Sequence, residues 1–183
     1  AGSIISSLGF GTEENFSRIR EYRSGIVWVE DSTFFDTPFM AARIDDTRLK
    51  ALAQELDGYT RMEQLFILSL SDTIRQSGID PTQSDCGLII STTKGNIDML
   101  SGSHDLPTQG VETSQSWEDI LPSTGKTDFP GKGRASSQLY EMAMCVAGYF
   151  GYVNEPIVIS NACISGVSAL IVASRLIEAG KYK

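Results

Sequence analysis

The stretch Pro156-Ile-Val-Ile-Ser-Asn-Ala-Cys-Ile-Ser-Gly-Val-Ser-Ala-Leu-Ile-Val-Ala-Ser-Arg-Leu-Ile-Glu-Ala-Gly180 decides the fold. Residues 156–160 form a short apolar run without polar alternation. Such a run suits a strand covered on both faces, as in a parallel sheet. After Asn161-Ala162 the pattern becomes helical, and up to Arg175 the helix has almost no polar face. A helix of that kind is expected in the middle of a structure. The change from strand to helix leaves Cys163 in a tight turn among small residues.

Working outward, Cys86-Gly-Leu-Ile-Ile-Ser-Thr92 is a second apolar run of the same kind. Leu139, Met142, Ala143, Val146, Ala147 and Phe150 step by three and four, the spacing of an amphipathic helix, and Gly151 ends it. Thr60 and Glu63 make a T-x-x-E capping box in front of a helix that runs to about Ser77. Met62, Leu65, Phe66, Ser69 and Thr73 are its expected apolar face, and Gly78 its stop. Leu49, Leu52, Ala53 and Leu56 have helical spacing up to Gly58. Val27-Trp28-Val29 reads as a short strand, and Thr37-Pro38 breaks any helix. Residues 3–11 read as a strand end and a glycine turn. Thr12 is then expected to cap a helix with Glu13 and Glu14 in its first turn, Phe16 and Ile19 as apolar positions, and a stop near Ser24-Gly25.

Residues 101–134 concentrate Gly, Pro, Ser and Thr, and read as a long irregular segment with at most a short helix around Trp117–Leu121. Loops this long are often functional. Helices alternating with buried strands make the class α/β with a mainly parallel mixed sheet, one domain over residues 1–183.

The net charge of −8, from 15 Lys and Arg against 23 Asp and Glu, argues against nucleic acid, whose binding draws on clustered cations. No run approaches the roughly 18–20 apolar residues of a membrane span, and residues 1–20 do not read as a signal peptide. A cytoplasmic, reduced compartment fits, because the three cysteines, Cys86, Cys145 and Cys163, make no CxxC pair. No cluster has metal-ligand spacing.

A free cysteine is most often a small core hydrophobe, and Cys86, opening a strand, and Cys145, inside a helix pattern, read that way. Cys163 differs. A strand-to-helix turn sets its sulfur against the free amides and positive end of a helix, an environment that favours negative charge. Its own backbone amide can serve a developing oxyanion. A helix end supplies neither a proton donor nor a second oxyanion partner, so this account of a mechanism is incomplete by itself.

Asn161-Ala-Cys-Ile-Ser-Gly166, followed by a long apolar helix ending Glu178-Ala-Gly180, resembles the nucleophile segment of the β-ketoacyl-acyl-carrier-protein synthases, the ketosynthases of fatty acid and polyketide synthesis. Three further stretches resemble that family in the same order: Ser6-Ser-Leu-Gly-Phe-Gly-Thr-Glu-Glu-Asn-Phe16 with Ser24-Gly-Ile26, Tyr59-Thr-Arg-Met-Glu-Gln-Leu65 through Ser77-Gly-Ile-Asp80, and Gly87-Leu-Ile-Ile-Ser-Thr-Thr-Lys-Gly95. The likeness weakens at 27–58 and 103–134.

The resemblance implies a thiolase-like αβαβα layered fold, of which this chain is the N-terminal half, and a homodimer or ketosynthase heterodimer. It implies that Cys163 takes an acyl group from a thioester and then condenses it with a malonyl group, with loss of carbon dioxide. Ala162, Ser165 and Gly166 would line the substrate site. No resident cofactor is implied, since acyl groups arrive on the phosphopantetheine of an acyl carrier protein or on coenzyme A. The family's active-site histidines lie in its second half, so the piece by itself is expected to be inactive. The one histidine, His104, in Gly-Ser-His-Asp, matches no family motif and reads as a surface residue.

Other motifs fail on their spacing. Gly125-Lys-Thr127 lacks the glycine a phosphate loop needs at 120, which is Ile120. Gly131-Lys-Gly-Arg134 reads as a solvated turn, though it could contact a phosphopantetheine arm or an acidic carrier. No G-x-S-x-G elbow occurs. Two other readings remain open: a non-catalytic ketosynthase-like partner or scaffold subunit, and a thiolase or initiation-type condensing enzyme.

Overall fold

The computed structural model describes residues 1–101 and 137–183, and its internal contacts divide it into two units, Ala1–Asp57 with Gln64–Ile79, and Gly58–Glu63 with Asp80–Lys183. Residues 102–136, with His104, Trp117–Leu121, Gly125-Lys-Thr127 and Gly131–Arg134, lie outside the described residues. No described helix is long and apolar enough to cross a membrane.

The first unit opens with the expected glycine turn, a small antiparallel pair of β1 (Ile5–Ser6) and β2 (Gly9–Phe10) leading into α1 (Thr12–Arg20). Thr12 is not the cap. It is the first helical residue, its hydroxyl donates to the Gly2 carbonyl at 2.9 Å, and Gly11 occupies the capping position with φ 98°. Glu14 closes the turn instead, accepting the Phe10 N–H at 2.9 Å.

The corner is held by Asn15, 2% exposed, whose amide donates to the carbonyls of Ile4, Gly9 and Gly11 at 3.1, 2.9 and 2.8 Å. Because α1 turns this amide inward, the expected apolar positions Phe16 and Ile19 are exposed, and the helix ends at Arg20, short of Ser24.

β3 (Ile26–Val29) pairs antiparallel with β4 (Phe39–Ala42), from Ile26 opposite Ala42 to Val29 opposite Phe39. Asp45 caps α2 (Asp46–Leu52) by accepting the Arg48 N–H at 3.0 Å. Leu49, Ala53 and Leu56 are buried, but Leu52, expected on the same face, is exposed, and the α-helix ends at it, with a short tighter turn over Gln54–Leu56.

The capping box forms as read: the Thr60 N–H donates to Glu63 Oε2 at 2.8 Å and the Glu63 N–H to Thr60 Oγ1 at 3.3 Å. α3 (Arg61–Ser77) follows. Its deepest positions are Glu63 and Ile67, one helical step apart, rather than the line through Met62 and Phe66.

In the second unit the two apolar runs do pair. β5 (Ile89–Ser91) lies parallel to β6 (Ile157–Ile159), and the Ile157 and Thr92 amides extend the ladder to Leu88 and Ile159 carbonyls. α4 (Leu139–Phe150) packs on β6 and buries Met142, Ala143, Val146 and Ala147 to 1% exposure or less. Gly151 ends it in the left-handed conformation at φ 70°.

α5 (Ser165–Glu178) packs on both strands. The chain beyond it returns to the start of β5: a Cβ on Gly87 would lie 2.7 Å from the Tyr182 ring, and the Lys183 N–H donates to the Asp85 carbonyl at 3.0 Å.

The chain is therefore mixed α/β, with two corrections. Instead of one mainly parallel sheet, the described residues hold three two-stranded sheets, of which β5–β6 is the parallel one. The segment after residue 25 closes on itself as a hairpin, so its strands do not join β5. Nor is α5 buried all round: Val167, Leu170 and Ile177 are 60%, 72% and 53% exposed. A pair of strands covers one side of a helix, here the side of Ser168, Ala169, Val172, Ala173 and Leu176.

Candidate active site

The chain leaves β6 at Ile159 and enters a single tight turn, Ala162–Ile164, that runs straight into α5. Cys163 sits in this turn, two residues before the helix starts, and is exposed. Its sulfur makes no hydrogen bond among the described residues. Ala162 takes φ 46°, a left-handed conformation that costs a residue with a Cβ roughly 1–2 kcal/mol.

Ser165 is 6% exposed, and its hydroxyl accepts the Asn161 N–H at 2.8 Å and donates to the Ala162 carbonyl at 2.7 Å. Two such bonds contribute about 1–3 kcal/mol together, enough to offset the strained residue. The Ile164 N–H donates to the Asn161 carbonyl at 3.1 Å, and the Asn161 side chain donates to Ser168 Oγ at 3.3 Å. The turn is thus tied by Ser165 and Ser168 of α5 and by the Ile164 N–H within it.

The residues named from the motif divide into two kinds. Ala162 and Gly166 are exposed like Cys163, and a Cβ built on Gly166 meets nothing within 4 Å. Ser165 is turned inward and serves the backbone. Asn161, which the motif reading passed over, organises the turn through three hydrogen bonds. An Asn preceding a small residue and a cysteine, with Ser two residues beyond the cysteine, is the sequence signal for it.

The other two cysteines have core environments. Burial, and then the Glu63 carboxylate to which its thiol donates, push Cys145 up to about 12. Burial also pushes up the half-buried Cys86, and Tyr152, hydrogen-bonded to it, is driven by burial to about 12.

Glu63, 2% exposed, also accepts from Asn96 Nδ2 at 3.0 Å, and Thr60 Oγ1 donates to Asn96 Oδ1 at 2.7 Å. This buried cluster joins the start of α3, the segment after β5, and α4. Asn96, the residue that completes it, has no pattern around it in the sequence.

An open cleft of about 1000 Å³ in the first unit is lined by Phe10, Phe16, Arg18, Arg48 and Arg75. Its cations are already matched. Glu14 Oε1 lies 2.8 Å from both Arg18 and Arg48, and the hydrogen bond from Arg48 holds the Glu14 carboxyl below its ordinary value. Arg75 pairs with Asp72 at 2.5 Å. Ala162, Cys163, Ser165 and Gly166 do not line this cleft. Among the described residues, no group of His, Cys, Asp and Glu side chains is placed to hold a metal ion.

No family model matches the chain, and no curated protein matches it.

Proposed function

We propose that this chain is the nucleophile-bearing part of a condensing enzyme of the β-ketoacyl-acyl-carrier-protein synthase kind, with a thiolase-like αβαβα architecture. The observation that carries the reading is the exposed Cys163 in a tied strand-to-helix turn, set among the four ordered stretches that resemble that family.

In the proposed reaction the Cys163 sulfur, as thiolate, attacks the carbonyl carbon of an acyl thioester. The new carbon–sulfur bond forms as the old one breaks, and the carrier leaves as a thiolate that takes its proton from solvent. A malonyl thioester then loses carbon dioxide. The electron pair of the broken carbon–carbon bond attacks the acyl-cysteine carbonyl, and Cys163 is released as thiolate. The Cys163 amide is one donor for the oxyanion of each step.

Acylation is the step assigned to these residues. The carrier is an acyl carrier protein or coenzyme A, and the working assembly a homodimer or a ketosynthase heterodimer.

Intact-mass measurement after incubation with an acyl thioester tests the reading. One acyl adduct is expected, lost in Cys163→Ala. An unmodified wild-type chain, or an adduct that survives Cys163→Ala, refutes it.

A second reading, a non-catalytic partner subunit, is favoured by the apolar stripe Val167, Leu170 and Ile177 on the exposed side of α5. Such patches mark surfaces that partners cover. It requires that no acyl adduct form.

A further inference from the structure

We propose that Ser165 is the positioning residue of the nucleophile turn: its buried hydroxyl holds Ala162 in the left-handed conformation from which Cys163 is presented. The proposal rests on the reading of Cys163 as the nucleophile, and its chemistry can be measured without that reading.

Four observations meet here. Ala162 has φ 46°, a region that residues with a Cβ avoid. The two backbone groups that bracket this strain, the Asn161 N–H and the Ala162 carbonyl, both bond to the Ser165 hydroxyl, at 2.8 and 2.7 Å. Ser165 is 6% exposed, so water is a poor substitute for that hydroxyl. Cys163, next in the chain, is exposed and has no side-chain hydrogen bond among the described residues, so its direction is set by its backbone.

Removing the hydroxyl takes away the Asn161 N–H's partner and leaves the Ala162 carbonyl with only the Ser165 N–H that it also accepts, so less offsets the strain. The turn then relaxes toward a right-handed conformation and redirects the sulfur. Glycine occupies the left-handed region freely, so in an Ala162→Gly chain the turn no longer needs Ser165.

The probe is iodoacetamide on the full chain, with the second-order rate of alkylation read at Cys163 by peptide mass spectrometry. Thermal melts accompany each variant. Ser165→Ala is expected to slow alkylation about tenfold, and Ala162→Gly added to it to restore the rate to within about twofold. General destabilisation by Ser165→Ala would not be cured by a glycine at the one strained position.

An unchanged or faster rate in Ser165→Ala overturns the proposal, and so does a fall that Ala162→Gly leaves uncorrected. If Ser165→Ala does not fold, Ala162→Gly is compared with Ala162→Gly/Ser165→Ala. Equal rates support the assignment, and a large loss in the double variant refutes it. A wild-type chain that takes no acyl group from a thioester refutes the condensing-enzyme reading and leaves this alkylation result standing.

Discussion

Replacing Glu63 with glutamine tests whether the buried cluster at the start of α3 is a principal support of the second unit. In the native chain Oε2 accepts the Thr60 N–H at 2.8 Å, Oε1 accepts Asn96 Nδ2 at 3.0 Å, and the Cys145 thiol also donates to this carboxylate. Every neighbour is a donor, and a carboxylate is an acceptor at both oxygens. Glutamine keeps the shape but turns one oxygen into an NH2 group that must face a donor. One bond falls from charge-assisted to neutral, a loss of about 1 kcal/mol, and the other becomes a buried unsatisfied pair costing about 1–3 kcal/mol.

Glu63→Gln is therefore expected to cost about 2–4 kcal/mol. For a chain of 183 residues, a cost of about 3 kcal/mol lowers the melting temperature by roughly 6–12 °C. Urea denaturation with unchanged slope is the assay. Adding Asn96→Asp reverses the polarity at the partner position, so the glutamine NH2 has an acceptor and Thr60 Oγ1 keeps one. The double variant is expected to recover more than half of the loss. A cost for Glu63→Gln below about 0.5 kcal/mol, or no recovery in the double variant, refutes the reasoning.

Two further predictions concern the cysteines and their neighbours. At pH 8, iodoacetamide is expected to label the exposed Cys163 at least about a hundredfold faster than Cys145, which is 6% exposed and whose thiol is pushed up to about 12; comparable rates on the folded chain contradict the assignment. Cys145 and Tyr152 are raised in the fold from ordinary values of 9.0 and 10.0 to about 12, so their share of stability is complete below pH 9 and is lost as pH rises toward 12. Each group contributes a slope approaching about 1.4 kcal/mol per pH unit inside its window. Denaturation midpoints that stay level from pH 9 to 12, or a Tyr152→Phe variant with an unaltered slope, count against this.

The elements that were legible are those whose signal is local. The T-x-x-E box at Thr60 and Glu63 is bonded as its spacing implies, because both partners lie within one helical turn. α4 follows the three-and-four stepping from Leu139 to Phe150, and the apolar runs at 86–92 and 156–160 become the parallel pair. Where the reading failed, a group outside the pattern intervened. Phe16 and Ile19 have helical spacing, but three carbonyls draw Asn15 inward and rotate that face out. β4 has little strand signal of its own and exists because β3 offers it a ladder. At the candidate site the cysteine, the turn and the small residues were legible. The inward hydroxyl of Ser165 was not, because serine's type does not say which way it faces.

By itself the amino-acid sequence determined the α/β class, the strand-to-helix turn that carries Cys163, and the distinction between that cysteine and the two core ones. These follow from periodicity and from residues a few positions apart, where chain connectivity leaves few alternatives. Tertiary structure alone decided that the described strands form three pairs instead of one sheet, that one flank of α5 is uncovered, and that Glu63 finds partners in Asn96 and Cys145. Strand pairing, helix coverage and buried polar satisfaction each depend on which distant segment arrives alongside, and no local pattern encodes that arrival.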